Sequence, residues 1–440
     1  MYFDLPAFIR YNFKAFFCTR GKHYHLTPKR FLVLFIWLIL YIPYEVLLRI
    51  FLLLDEIIFP RYHKQEIIKP VFIIGNPRSG TTFLHQLMDK DTLHFTSFKV
   101  WELIFAPSIT QRKLIWGLLK IARLIGAPIQ RITQNFNRRL ASRNKAHAIK
   151  IDSAEEDEHI LIHAWSSASL WGLYPIPEEL LPYFYFDRDV PSRQKDRVMR
   201  YYRNMLQRHL YAHGGKLTLL SKNPALTPKI DSLRKFFPDA QFINLARNPL
   251  ETLPSMMNYM ATGWKFSCDP LEAYPHKKEF FEILNYYYVY PVEYFENKPG
   301  LCAFIRYEDL VKDPQKTIEE VYSFFGFSIS PQYRHIVADE CEKAKKYQSN
   351  HVYSINKMGI TAEQILNSFN EVFAMYEFGT ARNELSEEGF LWQIKDWGNK
   401  RKQRRFARRK KRQASALFRK IHLHQRTLHK NRFALSIKRR

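Results

Sequence analysis

Residues 71–84 read Val-Phe-Ile-Ile-Gly-Asn-Pro-Arg-Ser-Gly-Thr-Thr-Phe-Leu, and no other stretch limits the fold of this chain as strongly. An apolar run, a turn with Gly and Pro, and then hydroxyl residues predict a buried strand, a tight loop and the start of a helix. The first N–H groups of a helix have no partner within the helix and carry partial positive charge. The segment is therefore suited to bind an oxyanion such as a phosphate.

This loop differs from the P-loop of nucleotide triphosphatases at one position. The spacing from Gly75 to Gly80 fits G-x-x-x-x-G, but Thr81 stands where the P-loop has its phosphate-binding lysine. Arg78 is the long cationic side chain of the loop. A kinase or ATPase of this family type would lack the lysine that grips the nucleotide phosphates.

A second segment carries complementary chemistry. Residues 241–246 form another candidate buried strand, which ends at Arg247, and Ser255 follows eight residues later on a predicted helix. A guanidinium binds two phosphate oxygens at once, and a hydroxyl on the adjoining helix adds a short hydrogen bond. The pair, about 170 residues after the first loop, suits a phosphate, although taken alone Arg247 is also typical of a surface ion pair and Ser255 of a solvated helix position.

The loop core Pro-Arg-Ser-Gly-Thr-Thr resembles the 5′-phosphosulfate-binding loop of sulfotransferases, in which an arginine at a strand end and a serine eight residues later bind the 3′-phosphate of the donor. The resemblance extends over roughly residues 70–365. Further matches are Lys222-Asn223-Pro224, the block Arg-Tyr-Glu-Asp-Leu at residues 306–310, and the segment 351–354 with Gly359.

The resemblance implies 3′-phosphoadenosine 5′-phosphosulfate (PAPS) as the donor. It implies that Arg78, Ser79, Gly80, Thr81, Thr82, Arg247 and Ser255 bind this donor, and that Arg78 and Lys222 stabilise the charge that develops during in-line transfer. The resemblance requires no metal, and we find no Cys or His cluster with metal-ligand spacing in this core.

The residues matched so far do not include a general base. Cytosolic sulfotransferases carry a histidine where this chain has Pro224, which cannot accept a proton. Glu102 is our candidate, because tyrosylprotein and heparan sulfotransferases use a glutamate and because the adjacent Trp101 is expected to raise the pKa of the carboxyl. The alternatives are a structural role as a helix-surface glutamate, His351 as the base, or the acidic run 155–158 with His159. That run otherwise predicts a solvated first turn of a helix.

The pattern of residues 68–325 predicts an α/β fold. Apolar strand-like runs alternate with helical stretches such as 227–237, 250–260 and 314–325, which indicates a P-loop-like parallel sheet flanked by helices, with ligands at the carboxyl ends of the strands. We expect a sulfotransferase-like domain over residues 67–400, preceded by a hydrophobic region, 1–66, and followed by a basic tail, 401–440.

The N-terminal region is membrane-like. Residues 31–44 contain no charge, and only Glu45 and Arg49 interrupt the run through residue 54. Its length suits a transmembrane helix, and its composition equally suits an interfacial, re-entrant or buried helix. The preceding positive charges place the N-terminus in the cytoplasm. A true span would put the catalytic domain in the lumen, as in Golgi sulfotransferases. The four scattered cysteines and the absence of an Asn-x-Ser/Thr site favour the cytoplasmic face.

The tail contains 17 Lys and Arg and no acidic residue, so its removal lowers the formal net charge from +26 to +9. Such a segment attracts polyanions without sequence specificity. Beside a hydrophobic region, anionic membrane lipids are the expected partner. Nucleic acid is disfavoured, since aromatic side chains are sparse and no recognition motif is present.

These patterns predict a membrane-associated sulfotransferase that acts on a hydroxyl or amine acceptor such as a carbohydrate, lipid or phenol. The aromatic clusters at residues 183–186 and 286–290 line the acceptor pocket or belong to the core. Two alternatives remain at this point: a P-loop kinase-like enzyme, and a noncatalytic membrane- or polyanion-binding protein on a degenerate sulfotransferase fold.

Overall fold

The computed structural model describes residues 2–126, 133–135, 137, 150–268, 274–345 and 355–378. All of them fall within one compact unit, Met1–Trp392, and the remaining unit, Gln393–Arg440, lies outside the described residues. The basic tail and His351 are therefore outside the described part of the chain.

A five-stranded parallel sheet lies at the centre, in the order β2-β3-β1-β4-β5. The parallel neighbours are set by the register Ile73↔Lys222 between β1 and β3, and Gly75↔Leu245 between β1 and β4. The predicted parallel sheet flanked by helices is confirmed. The strands are β1 Val71–Gly75, β2 Phe95–Thr96, β3 Thr218–Lys222, β4 Gln241–Ala246 and β5 Cys302–Arg306.

Sixteen α-helices in the described residues surround this sheet, joined in places by 3₁₀ helices such as Asp157–Ala164 and Pro224–Lys229. They are α1 Leu5–Phe17, α2 Pro28–Ile58, α3 Thr81–Met88, α4 Val100–Ile104, α5 Ile109–Leu124, α6 Pro177–Phe184, α7 Phe186–Asp189, α8 Ser192–Ala212, α9 Ile230–Phe236, α10 Pro249–Ser267, α11 Lys277–Phe295, α12 Tyr307–Lys312, α13 Pro314–Phe325, α14 Pro331–Lys345, α15 Ala362–Ser368 and α16 Asn370–Tyr376.

Both faces of the sheet are buried, which is why the strands read as continuous apolar runs. Val71 and Ile73 of β1 pack in one cluster with side chains of α3, α13 and α14. On the other face, Phe72 stacks on Phe242 with ring centroids 5.6 Å apart, and Phe242 contacts Phe295 of α11 at 5.1 Å. The hydrophobic effect on the two faces fixes the strand register and brings the carboxyl ends of β1, β3, β4 and β5 to one edge.

The two predicted aromatic clusters belong mainly to this interior. Phe186 and Tyr287 are fully buried, and Tyr183 is nearly so. Tyr185 packs against Tyr286 with ring centroids 5.0 Å apart. Of the two roles considered for these clusters, the structure supports core packing.

The turn after β1 requires a glycine. Gly75 has φ +129°, and a Cβ at this position would lie 2.0 Å from the carbonyl oxygen of Leu245. The N–H of Gly75 also donates to Thr227 Oγ1 at 2.9 Å, and that hydroxyl donates back to Gly75 O. No side chain fits in this close approach of two strands.

We expect Gly75→Ala to destabilise the protein by more than about 2 kcal/mol, because the backbone of β1 must move away from β4. Urea-induced unfolding measures the change. Gly117→Ala, in helix α5 with nothing within 4 Å of the added Cβ, is the matched control and is expected to be neutral or slightly stabilising. Equal effects of the two substitutions would contradict this account.

Candidate active site

The predicted phosphosulfate loop lies between β1 and α3, at the edge where four strand ends meet. Arg78 has φ +68° and Gly80 has φ +86°, so the chain passes twice through the left-handed region before α3 begins at Thr81. A Cβ on Gly80 would meet the ring of Tyr307 at 2.6 Å. The hydroxyl of Ser79 donates to Asn76 O at 2.7 Å and so closes the loop internally. The free N–H groups at the start of α3 are thereby presented at the strand ends.

The structure brings together the side chains that the sequence assigned to two phosphate sites. Arg78 Nε donates to Ser255 Oγ at 3.2 Å, and Arg247 Nη1 donates to Arg78 O at 3.3 Å. The guanidinium of Arg247 lies over the Tyr307 ring, 4.1 Å from its centroid, and forms an ion pair with Glu251. Arg247 Nε is buried without a hydrogen-bond partner. A cationic site with an unsatisfied buried donor fits a phosphate group.

Lys222 lies at the end of β3 with a fully buried side chain. Its Nζ donates to Thr82 Oγ1 at 3.2 Å and to Glu156 Oε1 at 2.8 Å. The predicted catalytic lysine thus lies against the loop, and a carboxylate that the sequence ranked low among the possible bases is its neighbour. Glu156 and Lys222 are 66 residues apart in the chain.

The acidic run 155–158 is not the solvated helix turn that the sequence suggested as its ordinary role, because half of it is buried. Asp157 accepts hydrogen bonds from the Tyr202 hydroxyl and from Ser221 Oγ, both at 2.8 Å. Burial raises the pKa of Asp157 to about 7, although these hydrogen bonds act in the opposite direction. Glu158 forms a fully buried ion pair with Lys229 at 2.8 Å. These two residues anchor the segment and leave Glu156 beside Lys222.

The surroundings of Glu102 lower its pKa instead of raising it as expected beside Trp101. Its side chain is fully buried, so it is not a surface glutamate either, and its Oε1 lies 2.7 Å from His213 Nε2 and 3.8 Å from Arg112 Nη1. Burial alone would raise the pKa of this carboxyl, but the charge of Arg112 and the hydrogen bond from His213 outweigh it and hold the pKa far below its usual range. Its Oε2 accepts the N–H of Lys99 and caps α4.

These contacts tie α4 to Arg112 of α5 and to His213, the residue after α8, and none of them involves Arg78 or Lys222. A carboxylate with so low a pKa is a weak proton acceptor. The sequence analysis considered Trp101 as the neighbour that sets this pKa, whereas the groups that set it are Arg112 and His213.

Two groups of acidic and histidine side chains in the described residues have ligating atoms within 4.8 Å of one another: Glu102 with His209 and His213, and Glu155 with Glu156 and His159. Each has a cation in contact. Arg112 Nη1 lies 3.0 Å from His209 Nδ1, and Lys222 Nζ lies 2.8 Å from Glu156. Adjacent positive charge opposes the binding of a metal ion, so we interpret both groups as hydrogen-bonded ion-pair networks.

Two residues at the site were not singled out from the sequence. Tyr307 contacts both Gly80 and Arg247, and Glu251 pairs with Arg247. Tyr307 directly follows β5 within the Arg-Tyr-Glu-Asp-Leu block, and Glu251 is four residues after Arg247, one helical turn away. Tyr307 was part of a matched motif, but neither its contacts nor those of Glu251 could be predicted from the sequence.

Comparison with known proteins identifies the family of this chain. A family model described as the sulfotransferase family matches residues 70–331, the region that contains the loop, Lys222, Arg247 and Ser255. The chain belongs to the sulfotransferase family. It is an enzyme of this family.

Curated relatives extend the likeness. Omega-hydroxy-beta-dihydromenaquinone-9 sulfotransferase Stf3 from Mycobacterium bovis and from Mycobacterium tuberculosis is in each case 24% identical to this sulfotransferase over 318 residues, 67% of this chain and 74% of the relative.

Solved structures share the fold. Sulfotransferase STF9 from Mycobacterium avium has a TM-score of 0.61 at 17% identity, covering 74% of this chain and 82% of that one. Sulfotransferase STF1 from Mycobacterium tuberculosis has a TM-score of 0.58 at 20% identity, covering 76% and 84%.

We expect Glu102→Gln to cost about 3 kcal/mol of stability at pH 7, because it leaves the charge of Arg112 buried without its partner. The folded-state pKa of Glu102 lies below its unfolded value of 4.5, so this stabilisation is present above pH 4.5 and is lost as the pH falls below it. Urea unfolding of both proteins between pH 7 and about pH 3 measures the difference. A gap that stays constant as the pH falls would contradict the ion-pair role.

Proposed function

We propose that this sulfotransferase transfers a sulfuryl group from PAPS to a hydroxyl group of a lipid-like acceptor at a membrane. One observation carries the donor assignment: Arg78, Arg247 and Ser255 form one hydrogen-bonded junction beside the loop. A donor with phosphates at both its 5′ and 3′ positions uses a loop and a second cationic site side by side. A nucleoside triphosphate has no group for the second site.

The donor-binding residues divide into two sets. The backbone N–H groups of residues 79–82, the hydroxyls of Thr81 and Thr82, and Arg78 would hold the 5′-phosphosulfate. Arg247, whose buried Nε lacks a partner, and Ser255 would hold the 3′-phosphate. The donor supplies the sulfuryl group.

Lys222 would stabilise the developing charge, since its Nζ lies within hydrogen-bond distance of the loop hydroxyl of Thr82. Glu156 replaces Glu102 as our candidate for the residue that accepts the acceptor's proton. Its carboxylate lies 2.8 Å from Lys222 Nζ and is partly exposed, so it adjoins the site of transfer and is accessible to an acceptor. His159, whose Nε2 is 3.7 Å from Glu156 Oε2, would orient it.

A lipid-like acceptor is favoured over a carbohydrate, phenol or amine for two reasons. The curated relatives are named for a hydroxylated menaquinone, which is a long isoprenoid lipid. In this chain α2 is one helix among the described residues whose length and composition are sufficient to cross a membrane. An enzyme at a membrane has direct access to a lipid that stays in the bilayer.

We extend the proposal to the organisation of the chain. Residues 1–66 and the tail 401–440 would associate with anionic lipids, residues 67–400 would form the catalytic domain, and that domain would face the cytoplasm, where the positive charges before α2 are retained.

Calorimetry on the detergent-solubilised protein tests the donor. We expect 3′-phosphoadenosine 5′-phosphate to bind at micromolar concentration and more tightly than ATP or ADP. A preference for ATP would favour the kinase-like alternative, and no binding to a folded sample would favour a noncatalytic protein.

Arg247→Ala should weaken the binding of 3′-phosphoadenosine 5′-phosphate by about 100-fold and the binding of adenosine 5′-phosphate by less than about threefold. A charge-assisted bidentate contact to the 3′-phosphate is worth roughly 2–3 kcal/mol, and only the first ligand has that phosphate. Arg234→Ala, which removes an arginine of α9 that donates to Pro238 O, is the control and should change neither affinity. Equal losses for the two ligands would rule out the assignment of Arg247 to the 3′-phosphate.

Glu156→Gln should lower turnover by about 100-fold and leave the affinity for 3′-phosphoadenosine 5′-phosphate within about threefold, because the amide cannot accept a proton. Transfer of radioactive sulfate from PAPS to long-chain isoprenoid alcohols measures turnover. Glu155→Gln, the neighbouring carboxylate, is the control with little expected change. If Glu156→Gln keeps full turnover while Glu102→Gln loses it under conditions where it is folded, the base is Glu102.

A further inference from the structure

The polarity of helix α2 is inverted relative to that of a helix on a soluble protein. Thirteen large hydrophobic side chains between residues 31 and 58 are exposed. In the same interval each charged residue, Glu45, Arg49, Asp55 and Glu56, is buried or half-buried. A helix that packs on a domain in water normally turns its apolar face inward, so the outer face of α2 is suited to an apolar environment.

The buried charges hold α2 to the catalytic domain along its whole length. Near its start, Arg30 Nη1 donates to Ser267 Oγ at 3.1 Å. At its middle, Glu45 Oε2 lies 3.0 Å from His163 Nδ1. Near its end, Asp55 Oδ2 accepts from Arg208 Nε at 3.0 Å.

This attachment is incompatible with a helix that crosses a bilayer. The 31 residues of α2 extend about 46 Å, more than the roughly 30 Å hydrocarbon core. A span would place Glu45 near the middle of the bilayer, and its partner His163 belongs to the catalytic domain. Separating the helix from the domain would leave buried charges unpaired, which costs several kcal/mol for each.

The exposed apolar surface continues onto two neighbouring helices. α1 packs on α2 through Phe16 and Phe31, whose ring centroids are 5.9 Å apart, and it exposes Leu5, Ile9, Phe13 and Phe17 at helical spacing. α5 also packs against α2, and it exposes Leu114, Leu118, Ile121 and Leu124. We call the exposed apolar surface of α1, α2 and α5 the outer face.

The charge around the outer face indicates what covers it. Residues 5–44 contain six Lys and Arg and no acidic residue, and residues 103–126 contain four and no acidic residue. Among them, Lys113, Lys120 and Arg123 are exposed side chains of α5 itself. A second copy of this face would bring cations against cations. An anionic lipid leaflet offers both hydrocarbon for the apolar side chains and negative charge for the cations.

We propose that the outer face is a monotopic membrane seat: α2 lies in the plane of one anionic leaflet, does not cross it, and holds the catalytic domain on that same side. The inference rests on the membrane association proposed above and specifies how it occurs. It also relates the membrane to the active site. Helix α10 carries Ser255 and ends at Ser267, which accepts a hydrogen bond from Arg30 of α2. Between these two residues α10 exposes Tyr259, whose ring lies 6.0 Å from the Arg78 guanidinium.

Flotation of the full-length protein with vesicles of phosphatidylcholine and phosphatidylglycerol at about 0.5 M salt, which screens the attraction of the basic tail to the lipids, tests the seat. Leu40→Glu with Leu47→Glu places two carboxylates on the outer face, and we expect at least a tenfold loss of vesicle binding with an unchanged thermal midpoint. Leu93→Glu with Val311→Glu, two exposed apolar residues outside α1, α2 and α5, is the matched control and should bind like the wild type. Binding retained by the first double variant would overturn the proposal.

Labelling of single cysteines decides between lying in the leaflet and spanning it. In a Cys18→Ser background, His25→Cys and Arg61→Cys place one thiol before and one after α2, and the other native cysteines are buried. In sealed, uniformly oriented membrane vesicles, a membrane-impermeant maleimide should label both positions from the same side. Labelling from opposite sides would show a span and overturn the proposal, while leaving the proposed membrane association intact.

Measurements on the same samples distinguish two further outcomes. If the wild type is a dimer in detergent that Leu40→Glu with Leu47→Glu converts to a monomer, and if it does not float with vesicles, the outer face is covered by a second copy and the proposal fails. The affinity for 3′-phosphoadenosine 5′-phosphate, measured in parallel, reports on the donor site alone, so its loss would count against the proposed chemistry and not against the membrane seat.

Discussion

The close approach of two parallel strands at Gly75 and Leu245 sets the geometry on which the site depends. With no side chain at Gly75, β1 ends directly against β4, and the loop that follows β1 lies beside Arg247, the first residue after β4. Arg247 can then donate to the backbone of Arg78, and Arg78 to Ser255. The two elements that we propose bind phosphate come from distant parts of the chain, and they become one site because two strands touch where a Cβ would prevent it.

The region of Glu156, which we propose faces the acceptor, is built differently, from buried charge. Asp157 and Glu158 are held in the interior by Ser221, Tyr202 and Lys229, and the segment they anchor places Glu156 against Lys222. Burying carboxyl groups is costly unless each has partners, so such a segment has little freedom to move. The rigidity of this segment fixes the distance between the lysine and the candidate base.

Local chemistry explains which parts were predictable from sequence. The strand, loop and helix of residues 71–88 follow from a contiguous pattern, and the Arg247 and Ser255 spacing lies within one strand-to-helix connection. The pKa of Glu102 could not be predicted from the sequence, because it is set by Arg112 and His213, 10 and 111 positions away, and neither is marked as a partner by the sequence. Hydropathy likewise selected α2 but left its relation to the membrane open, because that depends on partners such as Arg208, 153 residues from Asp55.

The proposed membrane seat, with the proposed lipid acceptor, would have a kinetic consequence. An enzyme seated in one leaflet meets a lipid substrate by lateral diffusion in two dimensions, so its rate follows the mole fraction of that lipid in the membrane and not its amount per volume of solution. Diluting the substrate with inert lipid at constant total concentration then slows the reaction, while the soluble donor continues to arrive from the aqueous side in three dimensions.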